Sequence, residues 1–242
     1  MIGRHLTNSI RYIIDNLLPP ILRDNKYFMY PMFFLWYKGK NVRKLMEFKS
    51  IFHTLNEEEF LHYYQIYDSL PTRETDLMEK SIDFILQHLE NDKSQSIIDV
   101  GCGNGYLLKK LKKQGYTNLS GLDIISDFSD DAITLYTGNI DALPFPDAYF
   151  DTVLCNHTLE HVLNLPKAIS EIKRIAKKQI IITLPCQRYY RYTFELHLHF
   201  FPQASYLLNS LNNENGRKIT QYECKKIQGD WSYIGYLKEE EK

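Results

Sequence analysis

Ile97-Ile98-Asp99-Val100-Gly101-Cys102-Gly103-Asn104-Gly105-Tyr106-Leu107-Leu108 is the stretch whose reading decides the fold. Ile97, Ile98 and Val100 are β-branched and apolar, the composition of a strand buried on both faces of a parallel sheet. Gly101, Gly103 and Gly105 follow at alternate positions. Without Cβ atoms the chain can turn tightly there and bring its amides against a ligand. Leu107, Leu108 and Leu111 resume at helical spacing with lysines between them, so a helix begins where the glycines end. Its first amides have no partner inside the helix and would face whatever lies over the turn.

A dinucleotide fingerprint needs its third glycine one position later, where this chain has Tyr106, whose side chain would crowd a pyrophosphate. That disfavours NAD and FAD. The spacing G-x-G-x-G, with Asp99 two places ahead of it, resembles motif I of class I S-adenosylmethionine-dependent methyltransferases. Downstream, Leu143-Pro144-Phe145, Phe150-Asp151, Val153-Leu154 and Leu159-Glu160-His161-Val162 stand in the order and at the spacing of that family's small-molecule members. The resemblance implies an α/β, Rossmann-like class I methyltransferase sheet of seven strands, mostly parallel with one antiparallel. It also implies S-adenosyl-L-methionine as cofactor, released as S-adenosyl-L-homocysteine.

Site residues follow from the same resemblance. Asp99 would orient the glycine loop and reach the methionine amine, with the Cys155 carbonyl helping to neutralise it. Gly101, Gly103 and Gly105 would let the backbone approach. Asp123, which ends the apolar segment after the first helix, could accept from both ribose hydroxyls. Ile124, Ile140 and Leu143 would enclose the adenine. Asn139 stands where the family usually has an aspartate, and its amide oxygen can accept the same bond from the exocyclic amine without charge. Too few residues separate Asp123 from the apolar run Ala132-Ile133-Thr134-Leu135-Tyr136 for a crossover helix, so a loop or single turn is expected.

Methyl transfer from a sulfonium is an in-line displacement, and a hydroxyl acceptor must also lose a proton. Histidine suits that task at neutral pH. His157, just beyond the fourth expected strand, is the first candidate base; His197 and His199, after the fifth, come next. Each can equally be read as a hydrogen-bonded structural residue. His161 belongs to the L-E-H-V turn and is read as structural. His157 and His161 have i, i+4 spacing, but with no third ligand evident no metal site is expected.

The chain has 242 residues and a formal charge of −1, long enough for one sizeable core and without the basic excess of a nucleic-acid binder. Cys102, Cys155, Cys186 and Cys224 are scattered without C-x-x-C spacing and no secretory signal stands at the start, which reads as reduced thiols in a cytoplasmic protein.

Residues 10–18 read as a short amphipathic helix closed by Pro19-Pro20. Residues 27–37, Y-F-M-Y-P-M-F-F-L-W-Y, are the most aromatic run in the chain, flanked by Lys26, Lys38 and Lys40. They are too few to span a bilayer. Three readings stay open: a helix packed on the core, a lid over the substrate, or an interfacial anchor making peripheral membrane contact. Residues 41–70 read as helical, with Asn56 as an N-cap, and Pro71 marks a boundary. The expected division is a helical extension over 1–75 and the methyltransferase domain over 76–242. Within the latter, helices are expected at 76–89 and 166–176, the second with Glu171, Lys173 and Arg174 outward, and strands at 179–185, 218–228 and 231–238. Tyr189, Tyr190 and Tyr192 with Arg188 and Arg191 follow the fifth strand, where open α/β sheets bind substrates. The function expected is O-methylation of a small molecule such as a saccharide or polyhydroxy metabolite. The alternatives are a catalytically silent S-adenosylmethionine-binding protein and a membrane-surface interaction protein.

Overall fold

The computed structural model describes residues 12–68, 75–125, 128–212 and 217–238. Its helices are α1 (Pro20–Arg23), α2 (Lys26–Trp36), α3 (Val42–Ile51), α4 (Glu57–Asp68), α5 (Glu79–His88), α6 (Tyr106–Lys113), α7 (Leu165–Ile175) and α8 (Ala204–Leu211). The strands are β1 (Ile97–Val100), β2 (Leu119–Asp123), β3 (Ile133–Thr137), β4 (Phe150–Asn156), β5 (Ala176–Pro185), β6 (Ile219–Ile227) and β7 (Asp230–Leu237). They form one sheet in the order β3-β2-β1-β4-β5-β7-β6, in which β7 runs antiparallel to both neighbours and the other pairs are parallel. The sheet is thus Rossmann-like, and its winding direction reverses between β1 and β4. A crevice opens at the carboxyl ends of strands at such a reversal.

Alternation along the central strands sorts the core into two layers. Ile97, Leu154 and Ile181 pack with Leu107, Leu108 and Leu111 of α6 and Ile82 and Ile85 of α5. Ile98, Val153, Ile180 and Ile182 pack on the other face with Ile169, Ile172 and Ile175 of α7 and Leu207 of α8. Between β2 and β3 no helix occurs among the described residues, as the short connection requires. Gln228 and Gly229, both with positive φ, make the two-residue turn between β6 and β7, whose twist suits a tight hairpin.

One expectation for α7 fails. Glu171 and Lys173 are buried rather than outward, because each side chain satisfies a distant backbone group. Glu171 Oε2 accepts from the Leu143 amide at 2.8 Å, and Lys173 Nζ donates to the Leu211 carbonyl at 3.1 Å. Arg174 is partly exposed and ties down the L-P-F turn by donating to the carbonyls of Leu143 and Phe145.

The chain divides into two compact units, Met1–Arg73 with Gln187–Leu198, and Glu74–Cys186 with His199–Lys242. The sheet lies in the second. Of the helix expected at 10–18, Ile13–Leu17 is a π-helical turn, and residues 10 and 11 lie outside the described residues, as does Pro71. In the first unit, Met29, Phe33 and Tyr37 turn inward from α2, and Phe33 stacks on Phe194 with ring centroids 4.6 Å apart. Tyr37 Oη donates to the Phe194 carbonyl, Lys49 Nζ to the Tyr190 carbonyl, and the Arg191 amide to Asp24 Oδ1 at 2.7 Å. These bonds hold Gln187–Leu198 within the N-terminal unit. Burial pulls the Lys49 ammonium down to about 7. Asn56 and Glu59 cap α4 reciprocally, each side chain accepting the other's amide.

Candidate functional site

The glycine turn after β1 is held from β2. The amides of Gly101 and Cys102 donate to the Leu122 carbonyl at 2.7 and 3.1 Å, and the Gly103 amide donates to Asp123 Oδ2 at 2.7 Å. Asp123, not Asp99, therefore anchors the loop. Gly101, Gly103 and Gly105 all have positive φ, a conformation that L side chains rarely adopt. At Gly101 a Cβ would lie 2.1 Å from Thr158 Oγ1, at Gly105 it would lie 2.2 Å from the Phe128 ring, and at Gly103 it would meet nothing. Gly103 thus faces open space while its neighbours are packed. The first free amide of α6, that of Tyr106, is already capped by Asn104 Oδ1 at 3.1 Å, so the helix terminus offers less to a ligand than the sequence suggested.

Four strand ends converge around this turn. Asp99 of β1 is buried beside Asn156 of β4, whose Nδ2 donates to Asp99 Oδ1 at 3.4 Å. Asn156 Oδ1 is buried with no hydrogen-bond partner. Burial drives the Asp99 carboxyl up to about 7, the Asn156 bond opposes this, and the nearby Asp123 adds to it. Asp123, at the end of β2, is also raised by burial, while the Ile125 and Gly103 amides pull the other way. After β3 the Gly138 amide returns to the Asp123 carbonyl at 3.0 Å. That places Asn139 beside β2, where its Oδ1 accepts from the Asp141 amide and caps a single 3-10 turn, Ile140–Ala142. Ile140 and Leu143 are buried there, and Ile124 is half-buried. Cys155 is buried in β4, where desolvation pushes its thiol well up, leaving it inert.

The three candidate bases have different partners. His157 follows β4 in a left-handed conformation (φ 51°), its amide bonded to the Thr183 carbonyl. Its Nδ1 lies 3.3 Å from Glu160 Oε1 and its Nε2 3.4 Å from Asp230 Oδ2. Burial works against the charged ring, but the two carboxylates outweigh it and lift His157 to about 10. Held between two acids, this ring is better placed to serve as a fixed cation than as a general base. His199 is the opposite case: its Nε2 bonds to the Val162 carbonyl at 2.8 Å and its amide to the Glu160 carbonyl at 3.0 Å. Burial lowers its pKa below the usual imidazole value, so the ring is neutral at pH 7 with Nδ1 as acceptor. His197 belongs to the N-terminal unit, where Nδ1 lies 2.6 Å from Gln187 Oε1.

Sequence reading missed Asn156, Thr158, Phe128 and the two acids around His157. Asn156 had a usable signal, a polar residue ending an apolar strand at the ligand-binding edge. Phe128 and Asp230 had none, since each meets the site only through the fold.

Residues 98–183 match the sequence family described as "Methyltransferase domain". An uncharacterised protein of Methanocaldococcus jannaschii is 34% identical over 137 residues, covering 56% of this chain and 58% of that protein. A ubiquinone biosynthesis O-methyltransferase of Rickettsia bellii is 30% identical over 155 residues, covering 59% and 61%. The chain therefore matches less than two thirds of the length of these relatives. Among solved structures, a methyltransferase complexed with the Trm112 activator of Haloferax volcanii superimposes with a TM-score of 0.52 at 16% identity, over 65% of this chain and 88% of that one.

Proposed function

We propose that this chain, whose residues 98–183 match a methyltransferase domain, uses S-adenosylmethionine to O-methylate a small polyhydroxy molecule such as a saccharide unit. When bound, S-adenosylmethionine supplies a methyl group on a positively charged sulfur, an electrophile for an oxygen nucleophile. The observation that carries the reading is the buried pair Asp99 and Asn156, a carboxyl raised by desolvation beside an amide oxygen with no donor. An ammonium group supplies what both lack, a positive charge and N–H donors. The open face of Gly103 and the Asp123 carboxylate beside it suit an adenosine sugar, which fits the residues present.

In this reading Asp99 and Asn156 hold the amino-acid end, Asp123 the ribose hydroxyls, and Asn139 the adenine amine between Ile140 and Leu143. His157 stays protonated and acts as a fixed cation that orders Glu160 and Asp230. His199 Nδ1 takes the acceptor's proton, because its Nε2 is committed to the Val162 carbonyl. The Rickettsia relative, an O-methyltransferase, supports a hydroxyl acceptor.

Calorimetry with S-adenosylmethionine, S-adenosylhomocysteine and NAD tests the cofactor; uptake of NAD alone would end the proposal. Mass analysis of hydroxylated acceptors then tests the reaction. His199→Gln should lower turnover about 100-fold while S-adenosylhomocysteine still binds. Cofactor binding without a methylated product from any acceptor would favour the silent reading.

A further inference from the structure

The N-terminal helices present an apolar face where a water-facing helix is ordinarily polar. On α2 the inward residues are Met29 and Phe33, while Tyr27, Phe28, Phe34 and Leu35 are exposed on the other side, with Pro31 between them. At helical spacing the exposed set fills an arc of about 120° opposite the buried one. Tyr27 is 89% exposed and Leu35 78%, and the preceding segment adds Ile21 at 81% and Leu17 at 65%. Single exposed apolar residues are ordinary, but a run of them over consecutive short helices marks an interaction surface. No helix among the described residues is long and apolar enough to cross a membrane. At about 1.5 Å per residue, the 11 residues of α2 reach roughly half the hydrocarbon thickness.

Charge narrows the choice of occupant. Between residues 12 and 44 the chain carries six lysines and arginines, Arg23, Lys26, Lys38, Lys40, Arg43 and Lys44, against two aspartates, whereas the whole chain has a net charge of −1. Lys26 is paired with Glu47 at 2.6 Å, and the remaining excess follows α2 in sequence at Lys38, Lys40 and Arg43. Two copies meeting through this face would bring like charges together, whereas an anionic lipid surface complements both features. We propose that α1 and α2 dock flat on an anionic bilayer surface, with Ile21, Tyr27, Phe34 and Leu35 in the interfacial layer and the basic residues among the headgroups. Tyrosine suits that depth, having an apolar ring and a polar tip. This docking stands independently of the proposed methyl transfer.

The test is flotation of the full chain with phosphatidylglycerol vesicles and with phosphatidylcholine vesicles, beside a measurement of oligomeric state. Binding to phosphatidylglycerol, weaker on phosphatidylcholine and weakened by salt, is expected. The triple variant Ile21→Ser/Tyr27→Ser/Leu35→Ser should lose binding by about tenfold or more, with circular dichroism unchanged. Lys38→Gln/Lys40→Gln should reduce the preference for phosphatidylglycerol and leave apolar binding in place. The proposal is overturned if the chain stays out of both vesicle fractions, if the folded triple variant floats as well as the parent, or if the parent is a dimer that the triple variant dissolves.

Discussion

The carboxyl edge of β1, β2 and β4 and the outer face of α1 and α2 are unfinished in opposite ways. At the strand edge the apolar side chains are buried, while Asp99 carries a raised carboxyl and Asn156 Oδ1 lacks a donor. On the N-terminal helices Lys49 and Asp24 have backbone partners, and it is the apolar side chains that lie bare. Desolvated charge is costly and directional, so the first deficit suits a small cationic group in one orientation. Bare apolar area is non-directional, and the second deficit suits a broad surface.

The largest test of this contrast is on the inward side of α2. Phe33→Ala should destabilise the N-terminal unit by about 4 kcal/mol, since it removes a buried ring stacked on Phe194. Denaturant unfolding measures it. Asp99→Asn comes next and should separate stability from binding. The wild-type carboxyl is neutral in the folded protein up to about pH 7 but ionises near 4 when unfolded. Native stability therefore falls as pH rises between those values and stays low above them. Asparagine, locked neutral, should raise the melting temperature at pH 8 and not at pH 4, while S-adenosylhomocysteine affinity drops by about 3 kcal/mol. Melting curves and calorimetry on one preparation read both.

Gly101→Ala should cost about 2 kcal/mol or more through its contact with Thr158, and Gly103→Ala about 1 kcal/mol from backbone strain alone. A smaller effect comes from acid: each pH unit below 7 should weaken S-adenosylhomocysteine binding about tenfold, because Asp99 must ionise to meet an ammonium. Smallest is Leu35→Ser, which should change stability by less than about 0.5 kcal/mol. A loss as large as that of Phe33→Ala would show that the outer face of α2 is covered.

What the sequence made legible was local. The apolar β1, its alternate glycines and the leucines of α6 are read from neighbouring residues, and the short connection after Asp123 excludes a crossover helix by length alone. Burial of Glu171 and Lys173 was not legible, since their partners, the Leu143 amide and the Leu211 carbonyl, lie 28 and 38 positions away. The setting of His157 was half legible for the same reason: Glu160 is three residues off and visible, but Asp230 arrives on another strand, and together the two carboxylates raise the ring's pKa. In residues 27–37 apolar side chains fall on every side of the helix, so periodicity gave no way to tell Phe33 from Leu35.

The placement of Asp230 ties His157 to the outer hairpin. Glu160 lies three residues away just after β4, whereas Asp230 opens β7, the strand that joins β6 to β5. A change that loosens that hairpin therefore takes away one of the ring's two acidic neighbours.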